Sequence, residues 1–270
     1  MTSLLKGADR VPRARRRHRM LWFPREHGAW AWLLLPILAG AIAGGWAWFQ
    51  IPLLVCAVAG YCAFNAASWW VKMPPTRRAA ALTPMVVYGS IAAGAGVILV
   101  GLTGVAVLVW FAIQAAGLGI AWLLTRVGAG RSLASGLATA LAATILLLIA
   151  AHPDATSMAT SQILWAAVFV YGYLAGTVFA VKSAIRERGS VLALSASVSW
   201  HLAWTVVAAI AVIAGESAGW LALWIGLTVR AVLLPLSARR SPIRPGLLGV
   251  VEIVAACCVL AVIAVEHLGG

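Results

Sequence analysis

The sequence predicts an all-α, polytopic membrane protein of nine transmembrane helices. Three observations predict it. The chain is 63% hydrophobic and 10% charged, with a mean hydropathy of +0.98, where a soluble domain carries about 25% charged residues. Apolar runs of about 20 residues, the length that crosses a bilayer core, recur along the whole chain. Lysine and arginine fall between alternate runs. A 270-residue soluble protein cannot hide this much apolar surface. A soluble enzyme, a secreted disulfide scaffold, a DNA-binding domain and a disordered chain are therefore disfavoured.

Residues 1–24 are polar and basic, with Lys6, Arg10, Arg13, Arg15, Arg16, Arg17 and Arg19, and read as a flexible cytoplasmic tail. Residues 25–270 read as one transmembrane helical domain. Parsing at Gly, Pro and charged breaks gives spans at 29–47, 51–71, 80–101, 104–124, 132–151, 162–182, 192–214, 217–237 and 246–267. Ala41-Ile42-Ala43 resembles a signal-peptide cleavage site, but the many later spans favour a retained first helix. Continuous apolarity specifies helices, since barrel strands would alternate. Together the spans use about 180 of the 270 positions, which leaves short loops.

Charge sets the expected orientation. With the N-terminus inside, the inner loops 72–79, 125–131, 183–191 and 238–245 carry Lys72, Arg77, Arg78, Arg126, Arg131, Arg186, Arg188, Arg239, Arg240 and Arg244. The outer loops 48–50, 102–103, 152–161 and 215–216 carry no lysine or arginine. Asp154, Glu216 and Glu266 fall at the outer side. The reading is N-in and C-out, in the cytoplasmic membrane. This placement assigns the net charge of +13 to membrane topology rather than to nucleic acid. Cys56, Cys62, Cys257 and Cys258 lie in apolar runs without a CxxC motif and read as small packing residues.

Two segments share the pattern Y-x9-V-K-x5-R, Tyr61 to Arg78 and Tyr171 to Arg188, 110 residues apart. Both run from an outer to an inner position. The pattern predicts two parallel four-helix repeats, spans 1–4 and 5–8, plus a ninth helix, with a site between the halves. The plainer reading is that any inner loop carries Lys and Arg.

Ionisable groups at lipid depth are costly and mark function. Arg230 stands about nine residues before the inner loop of span 8, and Glu252 about seven residues into span 9. At about 1.5 Å per residue both lie at similar depth, and they are expected to form an intramembrane ion pair. That pair would serve as a structural lock or as part of a site. His201, in span 7, reads as an interhelical hydrogen-bonding residue or a proton relay. Asn65 bridges helices or contacts a ligand. Arg25-Glu26-His27 joins a fixed cation, an acid and a titratable group where the tail meets span 1; an amphipathic anchor is the plain alternative.

Arg25, Glu26, His27, Asn65, Lys72, Arg78, Lys182, Arg186, Arg188 and His201 all map to the inner half, and form the expected ligand-binding set. A basic recess there suits an anionic headgroup or phosphate, held by Arg forks and Lys point charges. Dispersed positive-inside charge with no recess is the alternative. The five histidines have no metal-ligand spacing, no Walker A, HExxH or GxSxG motif is present, and no metal or cofactor is expected.

The segment Pro24-Arg25-Glu26-His27-Gly28-Ala29-Trp30, followed by Pro36, resembles the opening motif of the YwiC-like bacterial membrane proteins, and the run Lys182 to Arg188 resembles that family more weakly. The resemblance implies a multi-pass membrane protein and carries no activity with it. A more remote likeness is to the UbiA-type prenyltransferases, which have nine helices and motif loops after helices two and six. That likeness implies a UbiA-like bundle. Those enzymes hold Mg²⁺ and a prenyl diphosphate through Asn-x3-Asp-x3-Asp; here the positions read Asn65, Trp69 and Met73, so both aspartates are absent. The second loop offers Glu187 alone. Catalysis is therefore not the favoured expectation.

The expected partners are membrane lipids and an anionic or isoprenoid small molecule, with no nucleic acid. Binding of an anionic lipid or isoprenoid phosphate headgroup in a cytoplasm-facing pocket ranks first. A small-solute secondary transporter ranks second, and a UbiA-like transferase with a degenerate metal site third.

Overall fold

The computed structural model describes residues 20–24, 27–241, 243 and 245–268. Helices dominate, and no strand occurs among the described residues. They are α1 (His27–Gly44), α2 (Gln50–Lys72), α3 (Ala79–Thr103), α4 (Val107–Arg126), α5 (Leu133–Ala151), α6 (Ser161–Val181), α7 (Val191–Ile213), α8 (Ala218–Arg240) and α9 (Pro245–Leu268). By length and composition, 8 of these helices can cross a membrane, and α1 contributes a shorter apolar stretch, Trp30–Gly44.

Sequence explains where the helices begin. Ser132, Thr160, Ser190 and Ser217 stand just ahead of α5, α6, α7 and α8, and each hydroxyl accepts a hydrogen bond from a backbone N–H of the first turn. Such caps are worth about 1 kcal/mol each. The first span ends three residues earlier than its apolarity suggests, at Gly44 rather than position 47, because Gly45 takes a φ of +86° and turns the chain. Gln50 fixes that turn: its Nε2 donates to Gly45 O at 2.8 Å and to Ala150 O at 3.1 Å.

Helix α6 is the hub. Of its most apolar stretch 67% is buried, against 11% for α3, which with α2 forms a peripheral hairpin. Helix α5 packs on α1 and α4, α7 on α8, and α9 mainly on α1. The two halves pack differently: α2 and α3 form the tightest pair of the first four helices, whereas α7 packs chiefly on α8 in the second four. The repeated motif also diverges locally. Lys72 ends α2 ahead of a short 3-10 turn (Pro75–Arg77), but Lys182 opens a π turn (Lys182–Arg186) closed by Glu187 N donating to Lys182 O at 2.7 Å.

Hydrogen bonds gather the connections at two ends. At one end Arg186 Nη1 donates to Arg131 O at 3.3 Å, and Arg239 Nη2 reaches Gly189 O at 3.5 Å. At the other, Trp110 Nε1 donates to His152 O at 3.1 Å, and Trp220 Nε1 to Glu266 Oε2 at 2.9 Å. The first end is basic; the second carries Asp154, Glu216 and Glu266.

Candidate functional site

The strongest polar cluster lies among α6, α7, α8 and α9. Arg230 on α8 donates from Nη1 to Glu252 Oε1 on α9 at 2.6 Å, and the two side chains are 10% and 12% exposed. Helix α6 completes the carboxylate's shell. Tyr173 Oη donates to Glu252 Oε2 at 3.3 Å and to its backbone carbonyl at 3.0 Å. Thr177 Oγ1 donates to Glu252 Oε2 at 3.1 Å and to Tyr173 O at 3.1 Å. Tyr173 and Thr177 are four residues apart and so share one helix face.

His201 lies beside this cluster, buried at 1% exposure. Its Nδ1 stands 2.7 Å from Ser197 O, one turn earlier on α7. A carbonyl only accepts, so Nδ1 carries the proton and Nε2 is left as the acceptor of the neutral ring. The ring lies 6.1 Å from that of Trp224. Two glycines of α6 admit α7 this closely. A Cβ on Gly172 would stand 2.6 Å from the Trp204 ring, and one on Gly176 would stand 3.0 Å from His201 Nε2. Trp200 Nε1 uses the same approach to donate to Gly172 O at 3.1 Å.

An aromatic stack lies beside the cluster. Phe169 stacks on Trp220 at 4.4 Å and on Trp165 at 5.6 Å, and Trp204 stacks on Trp224 at 5.4 Å. Trp220 and Trp224 are fully buried. Four polar atoms near this centre are buried without a hydrogen-bond partner among the described residues: Ser197 Oγ, Trp224 Nε1, Arg230 Nε and Arg230 Nη2.

The other expected site residues are distributed differently. Asn65 donates from Nδ2 to Met20 O at 3.2 Å, tying the segment before α1 to α2. Lys72 is exposed; Arg78 donates from Nε to Met73 O at 3.1 Å and stands 4.9 Å over the Trp70 ring. Lys182 pairs with Glu187 at 3.1 Å, and Arg186 and Arg188 are exposed beside it. Among the described residues no backbone contact joins the α2–α3 turn, with Lys72 and Arg78, to the α6–α7 turn, with Lys182, Arg186 and Arg188. Arg25 and Glu26 lie outside the described residues, and of His27 only the backbone is described. No group of three or more His, Cys, Asp or Glu placed to hold a metal occurs among the described residues.

Sequence reasoning missed Tyr173, Thr177 and Trp224. The run Gly172-Tyr173-Leu174-Ala175-Gly176-Thr177 held a signal for the first two: glycines and hydroxyls each repeat at four-residue spacing.

Apolar helices with a charged pair held among them define a polytopic α-helical membrane protein. Residues 23–152, which hold α1 to α5, match the family model described as YwiC-like protein, so this part of the chain is similar to that family. The buried polar cluster on α6 to α9 lies beyond the matched residues. No curated protein and no solved structure matches the chain.

Proposed function

We propose that this multi-pass membrane protein binds an anionic headgroup, the phosphate of a lipid or an isoprenoid, at its basic end, and that this end faces the cytoplasm. One observation carries the reading: three basic connections converge. Arg186 on the α6–α7 turn reaches the α4–α5 connection at Arg131, and Arg239 at the end of α8 reaches Gly189. Lys182, Arg186, Arg188, Arg131 and Arg239 thereby crowd one corner of the bundle, where among the described residues Glu187 pairs with Lys182 at 3.1 Å. Arg forks and a Lys point charge suit phosphate oxygens, and clustered cations at the cytoplasmic surface attract anionic lipid. Lys72 and Arg78 stand on a separate turn and serve topology in this reading.

Native mass spectrometry of the protein purified in its own lipids tests it. A retained phosphate-bearing lipid is expected, and it is lost in the Lys182→Ala, Arg188→Ala double variant. Retention unchanged in that variant refutes the reading.

The buried charges of Arg230 and Glu252 favour a second reading, small-solute transport, because ionisable groups at lipid depth line substrate and proton routes. Proteoliposome flux that depends on Glu252 separates it from the first. A transferase of the UbiA type has less support, since Glu187 is engaged with Lys182 and carboxylate pairs that suit Mg²⁺ are absent from both loops.

A further inference from the structure

Arg230 uses only part of its guanidinium. Nη1 serves Glu252, while Nε and Nη2 are buried and have no hydrogen-bond partner among the described residues. Those two nitrogens lie along one edge of the planar group, with parallel N–H bonds. That is the edge that takes two oxygens of one oxoanion. Leaving two charged donors unmet in an apolar interior is unfavourable, and folded proteins seldom retain such groups without a role. Trp224 Nε1 and Ser197 Oγ are likewise buried and unpartnered; the Trp224 ring lies 6.1 Å from that of His201, whose Nδ1 donates to the backbone carbonyl of Ser197.

Charge limits what this edge can accept. Arg230 and Glu252 together are neutral, so an oxoanion arriving alone would leave a net negative charge at lipid depth. A proton arriving with it restores neutrality. Among the described residues, the titratable and charged groups in contact with the Glu252 carboxylate are Tyr173 from α6 and Arg230 from α8, and His201 is the titratable residue of α7. Helix α1, which packs on α9, contributes only His27, whose side chain lies outside the described residues. Glu252 is the carboxylate in direct contact with Arg230, and protonating it frees the guanidinium to pair with the incoming anion.

We propose that the Nε/Nη2 edge of Arg230 seats an oxoanion, phosphate in chemical class, that binds together with one proton taken up by Glu252. In this step one O–H bond forms on the Glu252 carboxylate, the proton comes from water, and no bond of the anion breaks. The edge is covered in this conformation, so binding parts the side chains around it, and the neighbouring Trp204–Trp224 stack reports that change. The seat lies about ten residues, or about 15 Å, from the end of α8. It does not rest on the headgroup reading.

The test uses the full chain in phosphatidylcholine nanodiscs. Inorganic phosphate in solution is one probe, and phosphatidic acid added to the nanodisc is the other. Tryptophan fluorescence and a pH-indicating dye are read together in weakly buffered solution. A saturable fluorescence change with one proton taken up per anion is expected, and the probe that produces it identifies the source as free or lipid-borne. Arg230→Lys keeps the charge but removes the edge, and should weaken binding at least tenfold. Glu252→Gln should bind without proton uptake and independently of pH. Gly60→Ala, whose added carbon meets nothing within 4 Å, should respond like the unaltered protein. No saturable change with either probe overturns the proposal. So does unaltered affinity in Arg230→Lys, or proton uptake that persists in Glu252→Gln. If Arg230→Lys does not fold, the Glu252→Gln measurement decides.

Discussion

Breaking the Arg230–Glu252 pair from one side should be far more damaging than removing both partners. Two unit charges about 4 Å apart at an effective dielectric of about 20 attract by about 4 kcal/mol. Desolvation offsets much of this in the intact pair, but a lone buried charge keeps the cost and loses the attraction, typically about 3–5 kcal/mol. Other polar groups in the membrane take up part of the loss, so Arg230→Met and Glu252→Leu should each cost about 3 kcal/mol. In the double variant neither charge remains. Tyr173 Oη still has the backbone carbonyl of residue 252 and Thr177 Oγ1 still has Tyr173 O, so neither hydroxyl loses its last acceptor. The double variant should therefore cost about 1 kcal/mol, a coupling of about 5 kcal/mol against the sum of the singles. Reversible unfolding in mixed micelles, followed by tryptophan fluorescence, measures all three. If the double variant costs about 6 kcal/mol, the sum of the singles, the two charges do not depend on each other and the reasoning fails.

Other outcomes follow from particular contacts. Gly176→Val places branched carbon against His201 Nε2 and should destabilise by about 1–3 kcal/mol, whereas Gly60→Ala, which meets nothing within 4 Å, should not destabilise measurably in the same unfolding assay. The Thr156 hydroxyl and N–H, donating at 2.6 and 3.0 Å, hold the Asp154 carboxyl below its ordinary value of 3.8. Order in the α5–α6 loop is therefore present above about pH 4 and lost as pH falls through the lowered value, which hydrogen exchange reads and Asp154→Asn abolishes. Glu216 is shifted the opposite way, raised from 4.5 by partial burial and by the neighbouring Glu266 carboxylate. The α7–α8 loop should thus be firmest below about pH 4.5 and loosen as pH rises through the raised value; Glu216→Gln should flatten that profile. Single cysteines at Arg77 and Ser157 should react with an impermeant thiol reagent from opposite faces of the membrane; labelling from the same face contradicts the two-ended arrangement.

Much of the fold was legible because a bilayer leaves little choice. An apolar run of span length has to become a helix, and positive charge has to collect in alternate loops. Helix boundaries were less so: at Gly45 a positive φ turns the chain while the composition is still apolar. Arg230 and Glu252 stand out in the sequence because charges in apolar runs need a partner, and the structure places them 2.6 Å apart. Tyr173 and Thr177 do not stand out, because a hydroxyl in an apolar helix gives no sign of which neighbour it faces. The repeated Y-x9-V-K-x5-R pattern fixes local chemistry but not packing. Lys72 and Lys182 lead into different turns on elements without backbone contact, and the π turn at Lys182 leaves no trace in composition.

Cross-linking tests most directly whether α6 and α9 bring their polar residues together while the two lysine turns stay apart. In a chain with Cys56, Cys62, Cys257 and Cys258 replaced by alanine, paired cysteines at Thr177 and Glu252 should be joined by a short bifunctional thiol reagent in native membranes. Paired cysteines at Lys72 and Arg186 should not be joined. Joining of the second pair with failure of the first would contradict the arrangement from which every conclusion about Arg230 and Glu252 is drawn.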